Sequence, residues 1–271
     1  MSVASDLIRV AEQAVNLATE IIHTHPMSQI TGKGDRDMAS DVDYAVERRV
    51  RAFLAERTPS VGFLGEEEGL SNEAKLGTVW TLDPIDGTAN FVHGLPLCAI
   101  SLALVKAKRP ILGVIALPYL ATRYSAVEGQ GAHSGGRRLK VRDTANLADA
   151  IVSIGDYAVG NSAYERNRSR LRITERLASS VQRVRMFGSA AIDLGWVADG
   201  RLDASVTLSN KPWDTAAGVI IAREAGARVV DLNGNAHSTE SKETIAVSPG
   251  LADEQLKILQ ASTAESVNSH T

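Results

Sequence analysis

The segment 83–92, which reads Asp-Pro-Ile-Asp-Gly-Thr-Ala-Asn-Phe-Val, constrains this chain more than any other. The strand-like run Trp80-Thr81-Leu82 precedes it, so we expect a strand to end where a turn brings Asp83 and Asp86 to one point. Crowded carboxylates repel each other, and one must take up a proton unless a cation neutralises them. Oxygen ligands of this kind suit Mg²⁺, Mn²⁺ or Ca²⁺ better than Zn²⁺. The segment therefore predicts a site for a hard cation.

The residues that follow predict an anion beside that cation. Gly87 lets the backbone approach a ligand closely, and Thr88 can cap a following helix. The start of a helix offers backbone N–H groups to an anion such as phosphate. A surface turn with a helix cap explains the same residues, because Asp, Pro and Gly are also turn formers. On this segment alone both interpretations stay open.

Composition excludes several classes of function. At 271 residues the chain can form one large domain or two coupled lobes. A formal net charge of -3 predicts neither nucleic-acid nor anionic-membrane binding. Cys98 is the single cysteine, which excludes a disulfide framework and a cysteine-based zinc site and favours a cytoplasmic setting. The first helix has no apolar signal core, and no apolar run approaches the roughly 20 residues that span a bilayer.

Apolar periodicity predicts a first lobe over residues 1–142. One helix is expected to end near His25-Pro26, and a capping box formed by Ser40 and Asp43 is expected to open a second. Strands are predicted at 61–64, 80–82, 99–105, 111–117 and 123–127. The last three follow closely on one another and indicate an antiparallel meander, with a tight hairpin at Gly135-Gly136.

Strands then alternate with helices over residues 143–261, which predicts a second, α/β lobe with crossover connections. The predicted strands are 151–154, 184–187, 203–206, 228–231 and 244–248. The predicted helices are 163–178, 189–198, 215–225 and 251–259, the second capped by Ser189. Residues 262–271 are small and polar, so we expect a disordered tail.

Further acids lie at or near the ends of predicted elements. They are Asp37, Asp41 and Asp43, then Glu66 and Glu67, and finally Asp214. Taken singly, each has a simpler explanation as a helix cap or a solvated turn. An EF-hand and a Walker A loop are both excluded, because the required ligands or glycine spacing are missing.

The joint order of these acids resembles the inositol monophosphatase family of Mg²⁺-dependent phosphatases. Residues 80–91 resemble its first signature almost residue for residue. Its second signature resembles Trp-Asp-x-x-Ala-Gly at 213–218 followed by Glu-Ala-Gly at 224–226. Gly-Glu-Glu at 65–67 and the segment 37–43 fill the two remaining family blocks in order.

The resemblance implies an α+β fold, a layered αβαβα sandwich with a large antiparallel sheet in the first lobe. It implies a site with two or three Mg²⁺ ions, for which Mn²⁺ can substitute. The implied metal ligands are Glu66, Asp83, the backbone carbonyl of Ile85, Asp86 and Asp214. It also implies a homodimer, and the apolar run 96–100 is expected to lie in a core or an interface.

Catalytic and phosphate-binding roles follow from the same resemblance. Asp43 and Thr88 would orient the attacking water, with Glu67 in support. Gly87 and Thr88 would present backbone N–H groups to the phosphate. The segment Gly188-Ser189-Ala190 matches a family segment that contacts the alcohol part of the substrate.

Thr207 is a departure from the family pattern. Inositol-cleaving members carry a Glu there, which binds ring hydroxyls, so we expect a substrate other than myo-inositol 1-phosphate. The candidates are small phosphorylated alcohols: an inositol phosphate, a sugar phosphate, histidinol phosphate or a nucleotide. Some bacterial members are thought to touch the transcription machinery, but no basic stretch of this chain supports that role. The alternative function is a non-catalytic protein that binds a phosphate ligand or a partner on the same fold. Its usual mark, loss of a ligand acid or of the Thr, does not occur here.

Overall fold

Two large β-sheets and a separate two-stranded hairpin, with helices around and between the large sheets, make up the chain. A computed structural model describes it at residues 3–34, 37–71 and 77–264. The helices are α1 Val3–Thr24, α2 Asp41–Arg57, α3 Thr88–Val92, α4 Ala163–Ser180, α5 Ala190–Ala198, α6 Pro212–Glu224 and α7 Ala252–Ala264. Strands of the first part are β1 Ile30–Gly34, β2 Asp37–Ser40, β3 Gly62–Gly65, β4 Gly69–Ser71, β5 Thr78–Asp86, β6 Ala99–Lys106, β7 Arg109–Leu117, β8 Thr122–Val127, β9 Gly131–Ser134 and β10 Arg137–Arg138. Those of the second part are β11 Ile151–Ile154, β12 Arg183–Arg185, β13 Ala204–Thr207, β14 Arg228–Val230 and β15 Thr244–Val247.

The larger sheet has eight strands in the order β10-β9-β8-β7-β6-β5-β3-β4. Neighbouring strands in this sheet are antiparallel, except that β3 and β5 run parallel to each other. The predicted meander of β6, β7 and β8 is therefore confirmed, and so is the hairpin at Gly135-Gly136 between β9 and β10. Cys98, Ala99 and Ile100 are fully buried, so this part of the apolar run 96–100 lies in the core of the chain itself.

The smaller sheet has the order β12-β11-β13-β15-β14. β11 runs parallel to β12 and β13, as crossover connections require, whereas β15 is antiparallel to both β13 and β14. The alternation of strands and helices indicated only the crossovers. β15 is antiparallel to β14 because the loop that joins them contains no crossover helix.

The elements stack in five layers. α1 and α2 cover one face of the larger sheet, and α5 and α6 lie between the two sheets. α4 and α7 cover the outer face of the smaller sheet. The α+β fold class and the αβαβα sandwich expected from the resemblance are confirmed.

The last helix is longer than predicted. α7 runs to Ala264, and the buried Ser262 donates a hydrogen bond from Oγ to the Ile258 carbonyl oxygen at 2.7 Å. Residues 262–264 are therefore helical, which corrects the expected start of the disordered tail. Residues 265–271 lie outside the described residues. Within those that are described, no helix is both long and apolar enough to cross a membrane.

Candidate functional site

The end of β5 brings Asp83 and Asp86 to one cavity. Both carboxyl groups are buried, and both line a cavity of about 210 Å³. The pairing of β5 with β6 becomes irregular between these two residues. The Ile85 N–H donates to Asp83 Oδ1 at 3.0 Å, which tightens this irregular turn. A strand end with a local bulge thus aims two acids at the same space.

Asp214 reaches the same cavity from a distant part of the chain. It lies in the first turn of α6, which begins at Pro212, a residue whose fixed φ suits a helix start. Ser101 on β6 stands opposite Asp83 in the sheet and donates from Oγ to the Trp213 carbonyl oxygen at 3.1 Å. This hydrogen bond fixes the start of α6 beside the end of β5.

Glu66 and Glu67 occupy the turn that follows β3. Because β3 is parallel to β5, the Glu66 N–H donates to the Leu82 carbonyl oxygen at 3.2 Å, level with Asp83. The buried Glu47 carboxylate of α2 accepts hydrogen bonds from the backbone N–H groups of Glu67 at 2.8 Å and Glu68 at 2.9 Å. Glu47 therefore positions the acidic turn, a role for which the sequence offered no signal beyond an ordinary helical glutamate.

Lys33 is a second residue that sequence reasoning missed. The β1–β2 hairpin carries its Nζ to 2.9 Å from Glu66 Oε1 and 2.5 Å from Glu67 Oε1. Burial opposes the charge of Lys33, but the two glutamates outweigh that effect and raise its pKa above the ordinary lysine value. In the sequence, Gly32-Lys33-Gly34 lacks the glycine spacing of a phosphate-binding Walker A loop, and nothing else there points to Lys33.

The crowded acids favour their protonated forms when no cation is bound. Burial, and then the charge of Glu66, raise the pKa of Asp83 well above its ordinary value. Burial and the Asp86 charge do the same for the pKa of Asp214. Burial also raises the pKa of Asp86 to about 6, although the Ser189 hydroxyl stabilises the ionised form. A divalent cation offsets both the burial of these charges and the repulsion between them, and so favours the ionised carboxylates.

The donor set fits a hard cation that keeps part of its water. Among the described residues, no three Asp, Glu, His or Cys side chains are arranged so that they could hold a metal ion by themselves. Mg²⁺ is usually bound through one or two carboxylates, with waters and substrate oxygens completing its shell. The cavity that Glu66, Asp83 and Asp86 line together with Ile85 and Asp214 offers oxygens of this kind.

Asp43 and Thr88 meet at the edge of this cavity. Ser40 is the N-cap of α2, and the predicted capping box is present, with Asp43 Oδ2 accepting from the Ser40 N–H at 2.7 Å. The other oxygen, Asp43 Oδ1, lies 3.4 Å from Thr88 Oγ1, which also lies 3.0 Å from the Ile85 carbonyl oxygen. Burial raises the pKa of Asp43 to about 6. Capping and contact with Thr88 therefore use different oxygens of one carboxyl group.

The first turn of α5 holds Asp86 from the opposite side. Ser189 Oγ donates to Asp86 Oδ2 at 2.5 Å, and the Ala191 N–H donates to the same oxygen at 2.6 Å. Ser189 also caps α5, as predicted, by accepting from the Ile192 N–H at 3.2 Å. Gly87 has φ of +90°, and a Cβ there would come within 3.0 Å of the Gly188 carbonyl oxygen. Only glycine combines this backbone conformation with so close an approach.

A second cavity of about 320 Å³ adjoins the first and shares Asp86, Gly188 and Asp214 with it. Ser189, Ala190 and Thr207 also line it. Thr207 is 8% exposed, and its Oγ1 has no hydrogen-bond partner among the described residues. The two cavities thus take in every predicted site residue except Asp43 and Glu67, which lie against Thr88 and Lys33 respectively.

The wall of the second cavity includes four charged residues that sequence reasoning missed. They are Asp156 before α4, Arg166 and Arg170 on α4 and Asp193 on α5. Single charged residues have no motif, so only their position in the fold distinguishes them.

Comparison with known proteins agrees with this fold. The profile of the Inositol monophosphatase family matches residues 2–271. Inositol-1-monophosphatase ImpA of Mycolicibacterium smegmatis is 34% identical over 256 residues, 94% of this chain and 92% of that protein. A fructose-1,6-bisphosphatase/inositol-1-monophosphatase of Thermotoga maritima is 34% identical over 240 residues, 88% of this chain and 89% of that protein.

Solved structures give the same result. The IMPase of Thermotoga maritima superposes with a TM-score of 0.87 at 31% identity, covering 96% of this chain and 99% of that one. The chain therefore belongs to the inositol monophosphatase family, a metal-dependent family, and it is an enzyme of the phosphoric monoester hydrolase class.

Proposed function

We propose that this protein is a Mg²⁺-dependent phosphomonoesterase that hydrolyses a small phosphorylated alcohol to the alcohol and inorganic phosphate. The observation that carries the proposal is the meeting of Glu66, Asp83, Asp86 and Asp214, from three separate parts of the chain, around one cavity. Burial, together with the charges of neighbouring acids, raises the pKa values of the three aspartates, and a divalent cation in the cavity would stabilise their ionised forms.

These four acids and the Ile85 carbonyl would hold two or three Mg²⁺ ions, with Mn²⁺ as a substitute. Bound there, the ions would offset the charge of the phosphate and make a water molecule more acidic. Asp86 is suited to such a role, because one of its oxygens is fixed by α5 while the other remains for a ligand.

The residues of the chain itself would then orient water and phosphate. The Thr88 hydroxyl has one proton to donate to Asp43 or to the Ile85 carbonyl, and its lone pairs can accept a hydrogen bond from water. Asp43 and Thr88 would in this way fix the direction of attack, which matters because phosphoryl transfer depends on in-line positioning. Glu67, held by Lys33 and Glu47, would keep the turn carrying Glu66 in place.

Backbone groups of Gly87 and Thr88 would bind the phosphate oxygens. The adjoining cavity would hold the alcohol, with Gly188, Ser189 and Ala190 on one side and Thr207 on another. The names of the relatives include both an inositol monophosphatase and a dual fructose-bisphosphatase. Thr207 offers one short hydroxyl where two hydrogen bonds to ring hydroxyls would need a carboxylate, so we expect myo-inositol 1-phosphate not to be the best substrate.

The test is phosphate release from a panel of phosphorylated alcohols, with Mg²⁺, with Mn²⁺ and with EDTA. Asp83→Asn should lower activity by about a thousandfold or more, because the metal ions supply several kcal/mol of transition-state stabilisation. The exposed acid Asp143 provides the matched control, since Asp143→Asn removes the same charge outside both cavities. Activity of Asp83→Asn within tenfold of the wild type would refute the assignment. Release that EDTA leaves unchanged would refute the metal requirement, and no release at all would favour the non-catalytic alternative.

A further inference from the structure

Arg170 is a buried cation in the wall of the second cavity. It is 8% exposed, and within the described parts of the chain its side chain makes one hydrogen bond, from Nη1 to the Asp156 carbonyl oxygen at 2.6 Å. Among the described residues, no carboxylate oxygen lies within 4.0 Å of a guanidinium nitrogen of Arg170, the distance that defines an ion pair. Buried charges in proteins are normally paired, because an isolated charge is costly to remove from water.

Arg166 adds a second positive charge to the same wall. It precedes Arg170 by one helical turn, so both side chains lie on one face of α4 and both line the cavity. Arg166 Nη2 donates to the Val159 carbonyl oxygen at 2.8 Å and to that of Asn161 at 3.2 Å. Like charges at this spacing repel. Burial and the Arg166 charge together lower the pKa of Arg170.

The neighbouring acids offset this pair only in part. Asp156 contacts Arg170 through its backbone oxygen, and the charge of its exposed side chain opposes the lowering of the Arg170 pKa without cancelling it. Asp193 is buried, and burial followed by the charge of Asp86 raises its pKa well above the ordinary value, which favours the neutral carboxyl. The cavity is therefore positive at the α4 end and acidic at the end where Asp86 and Asp214 lie.

We propose that the substrate carries a second anionic group, a phosphate or a carboxylate, and that Arg170 binds it with Arg166 at the cavity mouth. The proposal rests on the phosphatase function above and names the class of substrate that this site prefers. The planar guanidinium suits this task, because it can bind two oxygens of a phosphate or carboxylate at once. A cavity of about 320 Å³ is of the size that small ligands occupy.

A purely structural role for Arg170 would be to anchor the loop before α4. That loop already has other anchors: the Ala158 N–H donates to Asn167 Oδ1 at 2.7 Å, and Asn167 Nδ2 donates back to the Ala158 carbonyl oxygen at 2.9 Å. The Tyr157 and Thr174 hydroxyl groups also lie 3.0 Å apart. The experiment must therefore separate recognition of an anion from support of the loop.

The test compares two matched pairs of compounds in the presence of Mg²⁺. Fructose 1-phosphate and fructose 1,6-bisphosphate differ by a second phosphate, and glycerol 2-phosphate and 2-phosphoglycerate differ by a carboxylate. We expect the wild type to show, in one pair, a kcat/KM at least about tenfold higher for the member that carries the second anionic group, as hydrogen bonds to charged groups imply. The pair that shows the preference identifies the anion.

Three variants assign that preference to Arg170. Arg170→Gln keeps a donor for the Asp156 carbonyl but loses the charge, and it should abolish most of the preference. Arg170→Lys should keep part of it. Arg168→Gln removes a charge two residues away on the same helix, from a side chain that pairs with Glu165 at 3.3 Å and does not line the cavity, and it should change nothing. The ratio of kcat/KM within a pair is independent of the fraction of correctly folded enzyme.

Three outcomes would overturn the proposal: a wild type without preference in either pair, an equal loss on both members in Arg170→Gln, or the same change in Arg168→Gln. If neither these four compounds nor the wider panel of phosphorylated alcohols releases phosphate, the phosphatase function itself fails and this inference with it. If only other compounds of the panel are cleaved, this inference fails and the phosphatase function stands. Cleavage of the monophosphates without a preference defeats only the second-anion site.

Discussion

Replacing Gly65 by alanine should destabilise the turn that carries Glu66 and Glu67 through one steric clash. Gly65 ends β3, and a Cβ there would overlap the Glu47 carboxylate, which is completely buried. That carboxylate accepts hydrogen bonds from the Glu67 and Glu68 N–H groups and from Arg51 Nη2 at 2.5 Å. The Glu47 side chain cannot move aside without giving up these partners.

The expected cost follows from the hydrogen bonds that are lost. A hydrogen bond to a charged group contributes about 1.5–3 kcal/mol, so losing the two backbone donors alone costs about 3–6 kcal/mol. Because the Glu47 side chain can partly relax, we expect Gly65→Ala to lower the free energy of unfolding by about 3 kcal/mol. Such a loss is a large share of the roughly 5–15 kcal/mol that stabilises a typical domain.

Urea denaturation of a double-mutant cycle measures this effect. In a Glu47→Ala background the alanine at position 65 has no carboxylate to displace. Gly65→Ala should therefore lower the free energy of unfolding by at least about 2 kcal/mol less in that background, a coupling energy within the range found for residues in contact. Gly32→Ala is the matched control, because a Cβ at Gly32 meets nothing within 4 Å. The concentration of Mg²⁺ that gives half-maximal activity should rise in Gly65→Ala as the Glu66 turn loosens.

A cost below about 1 kcal/mol for Gly65→Ala, which is no more than that of an average substitution, would contradict this reasoning. An equal cost with and without the Glu47 carboxylate would show that the strain lies elsewhere in β3.

Three further predictions concern the nucleophile, acid stability and assembly. Thr88→Ala should lower kcat much more than it weakens Mg²⁺ binding, since the hydroxyl contacts Asp43 and a carbonyl at the cavity edge. Equal losses in kinetics and Mg²⁺ titration would mean that Thr88 only stabilises the turn before α3, a helix whose N-cap is Gly87 and not Thr88 as the sequence suggested. Burial and the Arg223 charge lower the pKa of His237 to about 4, so the folded protein binds fewer protons than the unfolded chain below about pH 6.5. The contribution of His237 to the free energy of unfolding is therefore fully present above that pH and should fall by up to about 3 kcal/mol as the pH drops towards 4. His237→Gln should flatten the pH dependence of the free energy of unfolding measured in urea, and an unchanged pH dependence would exclude the histidine as its source. Finally, we expect a dimer of twice the chain mass in light scattering, the commonest closed symmetry, and a monomer at micromolar concentration would show that expectation to be wrong.

Local signals in the sequence predicted much of the fold. The capping box of Ser40 and Asp43, the Ser189 cap and the β6–β8 meander depend on residues close together in the chain. Helical and strand periodicities are likewise local, which is why most of the element order could be predicted, although the short strands β1, β2 and β4 were missed and several boundaries shifted by a few residues. The acids at element ends could be recognised as one site because their order along the chain resembles that of a known family.

The tertiary structure alone decided which ordinary residues support that site. Lys33 reaches Glu66 and Glu67 across a hairpin, and Glu47 holds the same turn from a neighbouring helix. Arg170 becomes notable only when α4 packs so that its guanidinium is buried in a cavity wall shared with Asp86. A lone charged residue in a helix is normally solvated, and its sequence neighbours do not reveal otherwise. What gives it a function is burial beside groups far away in the chain, and burial is set by how the sheets and helices pack.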